Sequence, residues 1–324
     1  MSTVQTQVAN DIDATEEKIS LDKQIKVVLA NKPILARILA HTMKEFKGMD
    51  YDTIVTCIEG KPEIGTVAVL PGQTNMVSEK ISGSATEDAV PNEGTIYFDI
   101  RLYVKIPGTS ESEPIKILVN IEAQKSFYPG YDIVTRAIYY CARMLSAQLS
   151  TEFTVATDDS AKYDNIKKVY SIWICMDTSK AAENTIDEYC IERKNVVGNN
   201  KKTTRYDLMS VVIICLSKKK DVEATDNELL KMLLTLLDEE LSAEEKKRRL
   251  ECEHGIPMTV ELAQEVNDMC NLSEYYEEKG IEKERFSAIE RMLKDGKEPK
   301  QISDFCGYDI EEVLSVQQEL LQTV

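Results

Sequence analysis

The feature that most constrains the fold is a pair of neighbouring runs in which apolar and polar residues alternate. The first run spans residues 95–106 and the second residues 115–124, with a polar, proline-bounded turn at 107–114 between them. Strict alternation over this length is typical of strands that bury one face. Because a short turn joins the two runs, the sequence predicts a β-hairpin.

The polar face of this hairpin carries two carboxylates, Asp99 on the first strand and Glu122 on the second. Side chains two positions apart on a strand share a face, so Glu122 and Gln124 project together, roughly 7 Å apart. Asp99 meets Glu122 if the register sets them opposite each other. Two such carboxylates suit a hard divalent cation. The alternative is an ordinary charged face whose acids pair with nearby basic residues.

Further helices and strands are predicted on both sides of the hairpin. Periodicity and turn residues indicate a helix from Pro33 to Gly48, a long loop over 60–94 with an edge strand near 67–70, a helix over 131–149, and strands over 169–176, 185–193 and 208–216. The runs at 169–176 and 208–216 are apolar without polar alternation, which indicates interior strands. This order predicts an α/β core with a mixed central sheet flanked by helices.

The chain divides into three predicted parts. Residues 1–24 are polar and without a period, which indicates a disordered leader. Residues 25–220 would form the α/β domain, and residues 221–324 an all-helical C-terminal extension. Within the extension, residues 296–317 resemble a helix-turn-helix. Its second helix is acidic, which favours oligomerisation or packing on the core over contact with phosphates.

Charge and composition exclude several classes of protein. The formal net charge of −17 argues against broad attraction to a nucleic-acid backbone, so any such contact must be local or cation-assisted. Only two histidines are present, which excludes a site that uses several imidazoles within one chain. The eight cysteines are scattered, as in reduced cytosolic proteins. Without a signal-peptide or membrane-spanning pattern, the chain is expected to be a cytoplasmic protein with no membrane contact.

Four segments, taken in their order and spacing, carry a resemblance to a known family. They read NKPILARILAHTMKEFKGM, VPNEGTIYFDIRLYV, ILVNIEAQKSFYPGYDIVTRAIYYCARMLSAQL and KVYSIWICM. In this combination they resemble the bacterial PD-(D/E)xK nuclease family transposases, which are related to the recombination-promoting nucleases. The resemblance extends from about Asn31 to the C-terminus, and its specificity lies in the combination, since a lone Asp followed by ExQ is a weak motif.

The resemblance implies a metal-dependent DNA endonuclease with a restriction-endonuclease-like core. The aspartate of FDI falls on Asp99 and the glutamate of ExQ on Glu122, and these two would bind Mg²⁺ or Mn²⁺. Gln124 falls where the family name has lysine; related nucleases can carry Gln there, and its amide would position water or a phosphate oxygen without acting as a base. An acidic residue of the first helix also tends to lie near the metal. Glu45 is that candidate, with a solvated charge beside Lys44 as the alternative.

The helix after the motif supplies candidate substrate-binding residues. Arg136 and Tyr140 are four residues apart and therefore share a helix face. A guanidinium there can bind a phosphate through two hydrogen bonds, and a tyrosine can stack or donate. The alternative is a helix that packs these side chains on the sheet. Lys125 would serve as a displaced catalytic amine only if a β-bulge reversed its strand parity.

Two other functions fit parts of this pattern. A nuclease fold without catalysis would act as a DNA- or protein-binding module, and Gln124 together with the acidic charge keeps that hypothesis open. A helical scaffold would instead act through the tail from Glu223 onward. Transposase activity is a weaker expectation than hydrolysis, which the same site chemistry satisfies. A homodimer is the assembly that would let two sites cut both strands of DNA.

Overall fold

The computed structural model describes residues 21–64, 87–90, 94–97, 99–106, 116–127, 129–146, 148, 163–198 and 205–322. The helices in these ranges are 21–29 (α1), Lys32–Thr42 (α2), Tyr51–Cys57 (α3), Ile133–Ser146 (α4), Glu228–Leu236 (α5), Ala243–Cys252 (α6), Val260–Lys294 (α7), Pro299–Cys306 (α8) and Ile310–Gln322 (α9). The strands are Glu63–Ile64 (β1), Glu87–Val90 (β2), Gly94–Tyr97 (β3), Ile100–Lys105 (β4), Lys116–Ser126 (β5), Val169–Asp177 (β6), Thr185–Cys190 (β7) and Met209–Cys215 (β8). Single 3₁₀ turns occur at Lys44–Phe46, Tyr163–Asn165 and Val222–Ala224.

The central sheet is mixed, which confirms the α/β prediction. Its strands lie in the order β1-β4-β5-β6-β8-β7. The pairs β1–β4, β4–β5 and β7–β8 are antiparallel, whereas β5–β6 and β6–β8 are parallel. The two parallel strands β6 and β8 are the buried apolar runs of the sequence, as expected for strands covered on both faces.

The predicted hairpin is present, but its first strand is shorter than the alternation indicates. Strands β4 and β5 pair in the register Ile100 with Ile121 through Lys105 with Lys116. The run expected to be continuous from 95 to 106 is broken: β3 ends at Tyr97 and pairs with β2, and β4 begins at Ile100. Asp99 lies in the break.

Helix α4 covers one face of the sheet beside the hairpin. Its apolar stripe packs against alternate residues of β6 and β8, with Trp173 of β6 fully buried at the centre. The ring of Tyr140 on α4 meets Trp173 edge to face, with 5.4 Å between the ring centroids. Strand alternation turns Tyr170, Ile172 and Ile174 to the opposite face, where they are also buried. The packing of α4 on β6 and β8 therefore fixes the positions of its side chains relative to the sheet.

The boundaries between the predicted parts differ from those of the structure. The limit expected at residue 24 falls inside α1, while residues 1–20 lie outside the described ranges, as does the edge strand expected near 67–70. The limit expected at residue 220 is also not where the compact units separate, because the first extends to Met269 and the second runs from Cys270. Helices α5 and α6 thus belong with the sheet.

Arg37 of α2 explains this attachment of α6. Its side chain is 6% exposed, and its guanidinium donates to the carbonyls of Pro33, His254 and Gly255. The Arg37 Nε–His254 oxygen distance is 3.1 Å. A buried, charged donor that binds the carbonyls just after α6 ties that helix to α2.

We predict that Arg37→Met lowers the free energy of unfolding by roughly 3 kcal/mol, because the carbonyls of His254 and Gly255 lose their buried donor. Urea unfolding followed by circular dichroism measures this difference. Arg248→Met is the matched control, since that arginine is 54% exposed and pairs with Glu245 at the surface; its effect should stay within about 0.5 kcal/mol. Equal midpoints for the two variants would contradict the role of Arg37.

The second unit has a small core of its own. Ile289, Ile302, Val313 and Val316 are buried together where the end of α7 meets α8 and α9. Gly307 ends α8 in the left-handed region, with φ of 72°, as is common where one helix stops and another begins. The helix-turn-helix-like pair expected from the sequence is therefore formed. Among the described residues, no helix has both the length and the apolar character that a membrane span requires.

Candidate functional site

Asp99 and Glu122 are interlocked at the break between β3 and β4. The backbone N–H of Asp99 donates to Glu122 Oε1 at 3.1 Å, and the backbone N–H of Ala123 donates to Asp99 Oδ2 at 3.0 Å. The two acidic residues are 8% and 5% exposed. Glu122 therefore holds the backbone of Asp99 out of a continuous strand, while β5 holds the Asp99 carboxylate. The structure brings these two predicted residues together.

A lysine from helix α1 completes this cluster. Lys26 is 4% exposed, and its ammonium lies 2.7 Å from Asp99 Oδ1 and 2.5 Å from Asp22 Oδ2. Burial lowers the pKa of Lys26, but attraction by Asp99 and Asp22 outweighs it, so the pKa is raised above its usual value. Burial raises the pKa of Asp99, and the Lys26 ammonium opposes that shift. The site thus contains a charged amine that the sequence did not predict.

The sequence did not predict a role for Lys26, because its contact with Asp99 joins two segments that are far apart in the chain. The only local signal is the acid–base spacing of Asp22 and Lys26, which an ordinary surface helix also shows. The side chain of Lys125, considered as a displaced amine, lies outside the described part of the structure. Gln124 is two residues after Glu122 on the same face of β5, pairs in register with Cys175, and is partly exposed.

Arg136 and Tyr140 of α4 lie close together, as their spacing predicts. Arg136 Nη2 donates to the Tyr140 hydroxyl at 2.7 Å, and Nη1 donates to the Tyr131 hydroxyl. The Arg136 Cζ atom is 5.0–5.3 Å from the ring centroids of Tyr131, Tyr140 and Trp173. Three rings and two hydroxyls thus hold one guanidinium in a fixed position.

The charge of Glu122 acts on this arginine and its tyrosine partner. Burial lowers the pKa of Arg136, while Tyr140, Tyr131 and Glu122 raise it by more, so the guanidinium stays charged. Burial, followed by Glu122, raises the pKa of Tyr140, which therefore remains a neutral phenol. A charged guanidinium and a neutral hydroxyl can both donate hydrogen bonds to a phosphate oxygen.

The structure places Glu45 apart from these carboxylates. It lies in the 3₁₀ turn Lys44–Phe46, where its carboxylate accepts from the Tyr170 hydroxyl at 2.7 Å and pairs with Lys168 at 3.1 Å. Tyr170 is three residues before Trp173 on β6, so its side chain points to the opposite face of the sheet from the one that α4 covers. Glu45 therefore braces the turn after α2 against the sheet and does not join Asp99 and Glu122.

The donor set at Asp99 and Glu122 suits a hard divalent cation, because it offers two neighbouring carboxylates. Within the described ranges, no group of three or more His, Cys, Asp or Glu side chains is placed to hold a metal ion. Further oxygen ligands would come from the Gln124 amide, from water or from a substrate. Lys26 already shares Asp99 Oδ1, so a cation at this position must compete with the ammonium.

Comparison with known proteins shows the family of this chain. The model for PD-(D/E)XK nuclease family transposases matches residues 70–291. The matched region includes Asp99, Glu122 and Arg136 and begins after Lys26 and Glu45. No curated protein and no solved structure gives a match.

Proposed function

We propose that this chain, which belongs to the PD-(D/E)XK nuclease family transposases, is a metal-dependent DNA endonuclease. Membership of the family supports a nuclease-type function. The observation that carries the proposal is the buried pair of Asp99 and Glu122, interlocked by backbone hydrogen bonds at a strand break. Burying two acids in one place is costly unless cationic groups compensate them. The Lys26 ammonium at Asp99 Oδ1 shows that this position accepts positive charge, which favours a cation site over an ordinary polar face.

In this proposal Asp99 and Glu122 hold Mg²⁺ or Mn²⁺. A bound cation of this kind supplies an activated water and polarises the phosphate. Gln124, on the face of Glu122, orients the attacking water or a phosphate oxygen through its amide, which can both donate and accept hydrogen bonds. Because an amide does not take up a proton at ordinary pH, Gln124 is a positioning residue.

Arg136 and Tyr140 bind the phosphate backbone in the same scheme. The guanidinium is held by Tyr131 and Tyr140, so little conformational freedom remains to be lost when a phosphate arrives. This local cation offsets the formal net charge of −17, which repels DNA elsewhere on the protein. A homodimer would bring two such sites to opposite strands, and a recombination role would follow if the cut ends are joined.

The test is nicking of supercoiled plasmid by the purified full chain with Mg²⁺, Mn²⁺ or EDTA. Cleavage that requires a metal is the expected result. A protein that is folded yet inert with every metal would overturn the proposal and favour the non-catalytic binding module, which the Gln at the lysine position also fits. Joining of DNA ends in the same reaction would support the recombination role, and pure nicking would argue against it.

A substitution of Glu45 tests whether this acid has a structural or a catalytic role. We expect Glu45→Gln to keep nicking within about threefold of wild type, while the lost ion pair with Lys168 lowers the free energy of unfolding by roughly 1–2 kcal/mol. Nicking rates are compared at equal folded fraction, which circular dichroism measures. A loss of cleavage beyond about 100-fold with the fold intact would place Glu45 in the active site instead.

A further inference from the structure

The carboxylate pair receives its amine from a part of the chain far from the motif. Lys26 reaches Asp99 from helix α1, and its ammonium is 2.7 Å from Asp99 Oδ1. Position 124, two residues after Glu122, carries an amide and no charge. Among the described residues, Lys26 is the lysine paired with Asp99. The lysine that contacts Asp99 therefore comes from α1.

The helix that carries Lys26 is firmly held. Val28 and Leu29 are fully buried, and Gln24 Nε2 donates to the backbone carbonyl of Glu265 at 3.1 Å. Asp22, one turn before Lys26, holds the ammonium from the other side at 2.5 Å. A long, flexible side chain is thus fixed at both its stem and its head, which ordinary surface lysines are not.

We infer that Lys26 is a further active-site residue, which contacts a phosphate oxygen of the DNA and stabilises the negative charge that develops there during cleavage. This inference rests on the proposed endonuclease function. Asp22 keeps the ammonium beside the carboxylates when Asp99 Oδ1 is taken by a cation. Lys26 then supplies the point charge that Gln124 lacks, while Gln124 keeps its positioning role.

A purely structural role for Lys26 has different consequences. If the ammonium only neutralises a buried acid, its loss should loosen the site, and metal affinity and cleavage should fall together. If it is an active-site cation, it repels a divalent ion that shares Asp99 Oδ1. Its removal should then strengthen metal binding while it slows cleavage. The two measurements move in opposite directions only under our inference.

The experiment compares Lys26→Met with Lys23→Met in the full chain. Lys23 is an exposed lysine of the same helix. Mn²⁺ binding is measured by calorimetry, nicking by plasmid assay, and folding by circular dichroism. We expect Lys26→Met to bind Mn²⁺ about tenfold more tightly and to nick at least tenfold more slowly, with Lys23→Met unchanged in both. Weaker Mn²⁺ binding, or nicking equal to wild type, overturns the inference.

A second variant keeps the inference testable if Lys26→Met is poorly folded. Lys26→Arg retains a cation at the end of a stem of similar length and should recover nicking to within about tenfold of wild type. A folded Lys26→Arg that is as slow as Lys26→Met, with Mn²⁺ binding unchanged from wild type, overturns the inference. A wild type inert with every metal overturns the proposed function itself, whereas an active wild type with an equally active Lys26→Met overturns only the role of Lys26.

Discussion

Glu122→Gln is expected to reduce metal-dependent nicking by roughly 10³-fold, because an amide cannot supply the charge that a divalent cation requires. The substitution keeps the oxygen that accepts the Asp99 N–H, so the break between β3 and β4 should persist. The rate is measured under single-turnover conditions with Mg²⁺ and Mn²⁺, and Mn²⁺ affinity by calorimetry. Both should fall while the circular dichroism spectrum stays unchanged.

Asp99→Asn should lose a similar factor in rate, but it is the less clean variant. It leaves the Lys26 ammonium buried opposite a neutral amide, and breaking a buried ion pair in this way costs roughly 3–5 kcal/mol. Asp187→Asn is the matched control, an exposed carboxylate on β7 of the same sheet, and should nick like wild type. If Glu122→Gln also nicks like wild type, the two buried acids are structural and the cation site is elsewhere.

The second large effect is expected at Arg136. Arg136→Met should slow nicking by about 100-fold, because it removes the cation that is held by two tyrosine hydroxyls and three aromatic rings beside Glu122. Arg136→Lys should recover only part of the rate, since an ammonium cannot bind a phosphate through two parallel hydrogen bonds. The nicking rate is measured under single-turnover conditions, and DNA affinity is measured in the presence of Ca²⁺.

The tyrosines on α4 provide a matched pair for this test. Tyr140→Phe removes the hydroxyl that accepts from Arg136 Nη2 and should slow nicking about tenfold. Tyr139→Phe removes a hydroxyl from the neighbouring residue, which is 48% exposed, and should have no effect. Equal rates for all four variants and wild type would show that Arg136 packs the helix on the sheet and does not touch the substrate.

Local pattern predicted the parts of the site that lie within one element. Alternation identified the hairpin strands next to Asp99 and Glu122, and helical spacing placed Arg136 and Tyr140 on one face. The break at Asp99 was not predictable, because the alternation of apolar and polar residues in the sequence continues through Asp99, whereas the strand does not. The contact between the Trp173 ring and the Arg136 guanidinium was also not predicted, since it depends on how α4 crosses β6.

Contacts between distant segments account for the remaining differences. Lys26 was not predicted as a site residue because its partner, Asp99, is far away in the chain. Helices α5 and α6 were assigned to a separate extension because an amphipathic pattern shows that a helix has a buried face but not which element covers it. Glu45 was expected near the cation from the family resemblance, which does not show which face of the sheet its side chain reaches.

The break at Asp99 also links the formation of this site to the stability of the hairpin. Residues 95–106 favour one long strand, and at Asp99, where the two acids interlock, the fold departs from that local preference. A continuous strand would commit the Asp99 backbone to the sheet, and the Glu122 carboxylate would lose the N–H that it accepts. Substitutions that make this segment a better strand would therefore stabilise the hairpin and dismantle the site together, which limits how stable an active form of this protein can become.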